Sequence, residues 1–349
     1  MSQQLRVLIT GVGGRSVGHQ ILQALLLLGE QYTIVATDVE AFSYGLYQVD
    51  RRYLVPHAHD PGYIKAVHRL IARERIGVLL PGTEAELFAL AEHRNELNCM
   101  TIMNPPEVVH LCRNKGRLAK WLVENGFRTP RTVASGDWRE LTQQVGFPIV
   151  GKPAENSGGS RHVEILRSAA EVETYLGLCP NPSQMLFQEY VEGVDTEYTV
   201  GVAVSHAGEI IDSIVLRRIL MGLSLGPSRV IDGKTYALST GYSQGVIVKH
   251  ELVQAVCENL ASTLGARGPL NIQCRLNGDE VCVFEVHPRF SGTTSIRAAA
   301  GFNEPDLLIK DFLFQQPVRR VEYQTDVVAI RAFSNLLVPM AALKELHRL

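Results

Sequence analysis

The sequence predicts a chain of the α/β and α+β classes, beginning with a doubly wound unit over roughly residues 1–105. Three observations carry this. Short, continuous apolar runs recur at residues 5–10, 33–37 and 76–80, as strands buried on both faces of a parallel sheet require. Stretches of helical length and period lie between them. Glycine, aspartate or Pro-Gly closes each run, which is turn chemistry at strand ends.

Taken in order, Leu5–Thr10 is the first strand and ends at Gly11, Gly13 and Gly14. A helical pattern runs from Val17 to Gly29. Thr33–Thr37 is the second strand, closing at Asp38, and Tyr53–Val55 the third, closing at Pro56. A helix from about Asp60 to Glu74 precedes the strand Ile76–Leu80, which stops at Pro81-Gly82. Pro105-Pro106 marks a boundary. A helix over Asn114–Asn125 stops at Gly126, and another is expected near Trp138–Val145. Phe147-Pro148-Ile149-Val150-Gly151-Lys152-Pro153 is a strand that delivers a lysine to its end, followed by Ser157-Gly158-Gly159-Ser160. Mixed strands and helices continue to about residue 315. Gly222 to Gly245, rich in Gly and Ser with little periodicity, is read as a long functional loop.

The 349 residues suit about two domains. Lys plus Arg (34) nearly balances Asp plus Glu (36), a formal net charge of −2, which argues against bulk nucleic-acid binding. The longest candidate span, Ile21 to Leu28, is too short for a bilayer and contains Gln23. The start reads Ser2-Gln3-Gln4 and then a strand, so no signal peptide is expected. None of the six cysteines lies in a CxxC pair, and Cys274 and Cys282 fall in apolar runs as buried thiols. A reducing, cytoplasmic setting is expected.

The most informative stretch is Leu270 to Thr294. Residues 270–275 alternate apolar and polar, Asn277-Gly278 signals a hairpin, and Glu280–His287 returns. A three-residue turn at 277–279 pairs Leu276 with Glu280 and Gln273 with Val283. That collects Asn271, Gln273, Arg275, Glu285 and His287 on one face, whereas a two-residue turn puts Gln273 on the other. Oxygen ligands with one imidazole suit Mg2+ or Mn2+, the plainer reading being a half-exposed polar hairpin. Arg289 then precedes Ser291-Gly292-Thr293-Thr294, where a capped helix start and an arginine fork suit phosphate or carboxylate. Lys152 emerging from a strand needs an anionic partner, and the 157–161 loop has residues small enough to close over phosphates. Gln188-Glu189-Tyr190-Val191-Glu192-Gly193 ends one strand and Asp195–Val200 begins another; such a connection can bind an adenine edge, with Glu189 or Glu192 taking the amino group or ribose hydroxyls.

Together these residues resemble the ATP-grasp superfamily, and in particular one synthetase half of a carbamoyl-phosphate synthase large subunit, over nearly the whole chain to about residue 317. Asn114-Lys115, the stretch ending Lys152-Pro153, the Ser157–Ser160 loop, 188–193, Asn271-Ile272-Gln273 and Phe284–Arg289 carry the resemblance. It implies a Rossmann-like pre-ATP-grasp domain over 1–105, then an ATP-grasp fold over 106–317 with a small lobe at about 137–190 and nucleotide between two lobes. Residues 318–349 form an extension packing on that unit. It implies that Lys115 and Lys152 hold ATP phosphates, with Ser157, Gly158, Gly159 and Ser160 closing over them. Gln188, Glu189, Tyr190 and Val191 hold adenine, and Glu197 lies near nucleotide or metal. Gln273, Glu285 and His287 bind Mg2+ (or Mn2+), and Arg289 contacts the transferred phosphoryl group. One of Arg217 and Arg218, with Arg218 chosen, faces the acyl phosphate unless both are surface residues. His287 stands where the family's Glu-x-Asn-Pro-Arg motif has Asn, so metal preference can differ.

The implied reaction is ATP-dependent phosphorylation of a carboxylate and attack by an amine or other nucleophile, releasing ADP and phosphate. The implied partners are small-molecule carboxylate and amine substrates, with neither nucleic acid nor membrane, and a homodimer is the default assembly. A single synthetase half without a glutaminase segment argues against carbamoyl-phosphate synthesis itself. Two alternatives remain. Gly11, Gly13, Gly14 and Gly18, with Asp38, imitate a dinucleotide fingerprint and so an NAD(P)-dependent oxidoreductase. His287 also allows a catalytically altered ATP-binding regulator.

Overall fold

The computed structural model describes residues 4–155, 162–316 and 320–349. Apolar runs at the start of the chain build a parallel sheet. Strand β1 (Arg6–Ile9) leads to helix α1 (Val17–Leu26), capped by Ser16, whose side chain accepts from His19 N. Then come β2 (Thr33–Asp38), β3 (Arg51–Leu54), α2 (Tyr63–Glu74), β4 (Val78–Leu80), α3 (Glu84–Glu92) and β5 (Met100–Thr101). The order is β3-β2-β1-β4-β5, every pair parallel, so the chain reverses direction across the sheet beside β1. In such sheets the carboxyl ends flanking the reversal are where ligands gather.

Helices α4 (Pro106–Arg113) and α5 (Lys115–Glu124) cross to a four-stranded antiparallel sheet of β6 (Thr132–Ala134), β7 (Ile149–Pro153), β8 (Glu164–Leu166) and β9 (Met185–Glu189). Helices α6 (Trp138–Val145) and α7 (Ala169–Leu178) cover it, burying Trp138, Leu141, Val172 and Phe187 in one cluster. A larger antiparallel sheet follows: β10 (Glu197–Val204), β11 (Ile210–Arg218), then, past a hairpin of β12 (Leu225–Ile231) and β13 (Lys234–Ser239), strand β14 (Gly245–Val248). Helix α8 (Glu251–Thr263), β15 (Gly268–Asn277), β16 (Glu280–His287), α9 (Thr294–Ala299) and α10 (Glu304–Phe314) complete it.

The hairpin corrects the expected loop at 222–245. Its turn is Asp232-Gly233, both with positive φ (50° and 77°), the conformation that a tight hairpin turn requires and Asp-Gly supplies. The C-terminal segment divides between both halves of the molecule. Strand β17 (Val327–Ala329) pairs with β14 of the large sheet, while, past α11 (Met340–Lys344), β18 (His347–Arg348) pairs parallel with β3 of the first. One core cluster joins the halves: Val7, Ile9 and Leu22 pack in it with Ile214, Phe290 and Phe302. No described helix is long and apolar enough to cross a membrane. All six cysteines are free, Cys274 and Cys282 buried.

Candidate functional site

The β15–β16 hairpin sets the site. Its turn takes two residues, Gly278 (φ +60°) and Asp279, with Asn277 opposite Glu280. This corrects the expected three-residue turn. A two-residue turn alone puts Gln273 on the wrong face, but a bulge at Phe284 restores the parity. Cys274 then faces Val283, Gln273 lies opposite Glu285, and Asn271 lies opposite His287. The bulge thus brings the polar side chains closer than the expected diagonal arrangement does.

These side chains form one wall of a cleft of about 1140 Å3, counting the space open to solvent. The small sheet forms the opposite wall. Lys152, 6% exposed, donates from Nζ to Gln188 Oε1 at 2.8 Å, and Gln188 Nε2 donates to Thr132 at 2.8 Å. Burial, with the neighbouring Lys115 charge, pushes the Lys152 ammonium down to about 8 despite the nearby Glu285. A buried cation whose hydrogen-bond partner among the described residues is an amide is suited to an incoming phosphate. Lys115, the first residue of α5 behind its Asn114 cap, lines the same cleft. The expected Ser157–Ser160 loop, with Arg161, lies outside the described residues.

Glu197 lines the cleft, but its oxygens are taken. Arg218 donates to one at 2.9 Å; Arg275 donates to the other from Nε and Nη2 at 2.9 and 2.8 Å. Burial alone would raise this carboxyl; the two guanidiniums outweigh it and hold it below the ordinary range. Glu197 is therefore a counter-charge for two buried arginines. Arg218 also donates to Gln273 Oε1 at 2.8 Å, to the Thr240 carbonyl at 3.3 Å, and to Ser239 and Ser243. Of the pair considered, Arg218 faces the cleft and Arg217 points to solvent.

At the far end, Glu84 reaches in from the first residue of α3. His287 has Nδ1 at 3.2 Å from Glu84 and Nε2 at 3.2 Å from Glu285. Arg289 donates to Glu84 at 3.0 Å and to the Phe290 carbonyl at 2.9 Å, and its Nε is buried without a partner. Burial works to lower the His287 imidazole, but Glu285 and Glu84 raise it overall despite the Arg289 charge. Burial likewise works to raise Glu285, and His287, Lys115 and Lys152 hold it far below the ordinary range. Glu84 behaves the same way beside Arg289 and His287. Sequence reasoning missed Glu84. The available signal was its place after Pro81-Gly82-Thr83 at the carboxyl end of β4, next to the sheet's reversal.

The ionised Glu285 carboxylate suits a hard dication, whereas Gln273 donates from Nε2 to Glu285 at 2.8 Å and its Oε1 accepts from Arg218, so its amide oxygen is turned away from Glu285 in this arrangement. His287 fits less well, because both ring nitrogens face carboxylates and leave no lone pair for a metal in this arrangement. Among the described residues no group of three His, Cys, Asp or Glu is placed to hold a metal ion.

The 188–191 connection also lines the cleft. Tyr190 is pinned by hydrogen bonds between its hydroxyl and both Ala237 backbone groups (2.9 and 3.1 Å), and Arg275 stacks on its ring at 5.0 Å. The Val191 carbonyl accepts from Arg275 at 2.6 Å. Glu189 accepts from Arg131 N at 3.0 Å and pairs with Arg128, while Glu192 pairs with Lys234 away from the cleft. The Gly11–Gly18 turn serves packing. A Cβ on Gly18 would sit 2.2 Å from the Thr10 carbonyl, and one on Gly11 would sit 2.4 Å from Thr83 and 2.6 Å from Glu86.

Comparison with known proteins places these features. Residues 181–334 match a family model described as ATP-grasp in the biosynthetic pathway with Ter operon. Residues 7–103 match the PylC-like N-terminal domain. A carbamoyl phosphate synthase large chain from Rubrobacter xylanophilus is 26% identical over 246 residues, 67% of this chain and 22% of the relative; the chain thus spans about a quarter of the length of such relatives. The N5-carboxyaminoimidazole ribonucleotide synthetase of Thermotoga maritima superposes with a TM-score of 0.63 at 17% identity, covering 92% of this chain and 78% of that one. The L-amino acid ligase of Bacillus licheniformis superposes at 0.64 and 16% identity, covering 91% and 76%.

Proposed function

We propose, for a chain that carries the ATP-grasp fold behind a PylC-like N-terminal domain, that it is an ATP-dependent ligase. It phosphorylates a carboxylate to an acyl phosphate, couples it to an amine or other nucleophile, and releases ADP and phosphate. The observation that carries this is the meeting of Lys115, Lys152, Glu285 and Arg289 in one cleft. Lys152 and Lys115 hold the transferred phosphate from one side and Arg289 from the other, so charge developing in transfer is met by fixed cations. Gln273 and Glu285 are the residues that would hold Mg2+, which supplies charge neutralisation on the phosphates when bound. His287, bridging Glu84 and Glu285, orients Arg289 and Glu285 as a positively charged spacer. Arg218 fixes the Gln273 amide, whose oxygen accepts from the guanidinium and whose nitrogen donates to Glu285; metal binding through Gln273 would require its oxygen to leave Arg218.

Phosphate release, screened over pools of carboxylates and amines with Mg-ATP, tests the proposal. Release that needs both a carboxylate and a nucleophile is expected. ATP breakdown indifferent to both would overturn the ligase assignment.

A further inference from the structure

A second cavity, about 1730 Å3 counting space open to solvent, lies behind the cleft. The partition is thin. Tyr242 and Ser295 line the second cavity, while Gly241, Ser243 and Gly292 line the first. Helix α1, the C-terminal segment and α9 supply the other walls.

Its charge is one-sided. Arg15, His19 and Arg331 are its ionisable basic groups, and no Asp or Glu lines it among the described residues. Arg331 donates to Gln20 Oε1 at 3.0 Å and to the Gly292 carbonyl, and its Nε is buried with no partner. Burial pushes its guanidinium down to about 10, the Tyr242 phenol works against this, and no carboxylate acts on it among the described residues. Arg15 lies over the same Tyr242 ring at 5.1 Å. His19 lines the same cavity, its Nε2 held by Gln48 at 3.0 Å. A guanidinium withdrawn from water beside neutral groups only is costly, and removing that cost takes an anion from outside. Arginine's fork matches carboxylate and phosphate oxygens.

We propose that this cavity binds the anionic group of the co-substrate, a carboxylate or a phosphate monoester, through Arg331 and Arg15. The assignment to the co-substrate rests on the ligase reading. Gly292, which accepts from Arg331 and lines the first cleft with Arg289, is where the two sites adjoin, and there the nucleophile of that molecule would have to meet the acyl phosphate. Substrates of this class are amines that carry an acid, rather than simple alkylamines.

Hydrogen exchange on the full chain, read segment by segment, tests this with inorganic phosphate and acetate as probes and chloride as control. Phosphate, acetate or both should slow exchange in residues 14–23 and 327–334, and whichever acts identifies the acid class. Arg331→Gln should remove the protection. Arg15→Gln, at an exposed side chain that leaves the fold intact, should weaken the probe's affinity by roughly tenfold. Protection equal to that in chloride, protection confined to the first cleft, or protection unchanged in Arg15→Gln would overturn the proposal. A non-hydrolysable ATP analogue read in the same samples separates the two readings. Its failure to protect residues 150–152 and 285–289 would count against the ligase assignment while leaving the anion site standing.

Discussion

Glu197 shows how partners decide a residue's role. Expected beside nucleotide or metal, it lines the cleft and is locked between Arg218 and Arg275. Glu197→Gln leaves two buried guanidiniums with no full counter-charge, and we predict a loss of about 3–5 kcal/mol in urea unfolding. An unchanged midpoint would contradict the clamp. Glu84 acts through Arg289 and His287, so Glu84→Ala should lower kcat by about a hundredfold with little change in the KM for ATP. A change in KM alone would return Glu84 to a binding role. Glu86 carries a pH prediction. Burial raises its carboxyl to about 7 against the ordinary 4.5, outweighing hydrogen bonds from Thr83, Thr10 and Tyr63. The native state therefore holds a proton that the unfolded chain has lost between those values. Its contribution is intact below about pH 4.5 and is lost as pH climbs through 7. Urea midpoints at pH 5 and pH 8 should differ less in Glu86→Gln than in the parent. Lys152, Gln273, Glu285 and Arg289 were legible in the sequence because strand parity and motif order fix them. Glu84 and the arginine clamp were not, because their partners lie far away in sequence and only the tertiary fold brings them together.

At the scale of elements, the hairpin separates what patterning can and cannot supply. Alternation identified β15 and β16, and the conclusion that Gln273 shares a face with Glu285 survives. The register does not, because a bulge at Phe284 leaves no mark in hydrophobic periodicity. Deleting Phe284 removes the extra residue and should leave Glu285 opposite Gln273 and His287 opposite Asn271, so a folded deletion variant should still bind nucleotide. Binding abolished in a folded deletion variant, measured by calorimetry, would contradict the register argument. The β12–β13 hairpin was missed for a different reason. Its strands are half-exposed and interrupted by Pro227, so little periodicity remains, although Asp232-Gly233 was a readable turn. It matters to the site because its Ala237 backbone pins Tyr190, while Leu238 and Ser239 line the cleft.

Over the whole molecule, a net charge of −2 conceals strong local separation. Lys115, Lys152, Arg218, Arg275 and Arg289 converge on one cleft against Glu84, Glu197 and Glu285. The inner strands of the parallel sheet, β1 to β4, were legible because buried strands read as short apolar runs, while the two-residue β5 was not. The divided C-terminal segment was not, since its strands are two or three residues long and their pairing is tertiary. The first domain also contributes directly to the site, since Glu84 crosses from α3 to Arg289 and His287 of the large sheet. The central claim is that this shared cleft transfers phosphate from ATP to a carboxylate. Its most direct test is carboxylate-dependent ADP and phosphate release by the parent chain and by Glu285→Ala, with folding of both checked by circular dichroism. The account predicts release by the parent and its loss in a folded Glu285→Ala. Equal release by the two would contradict it.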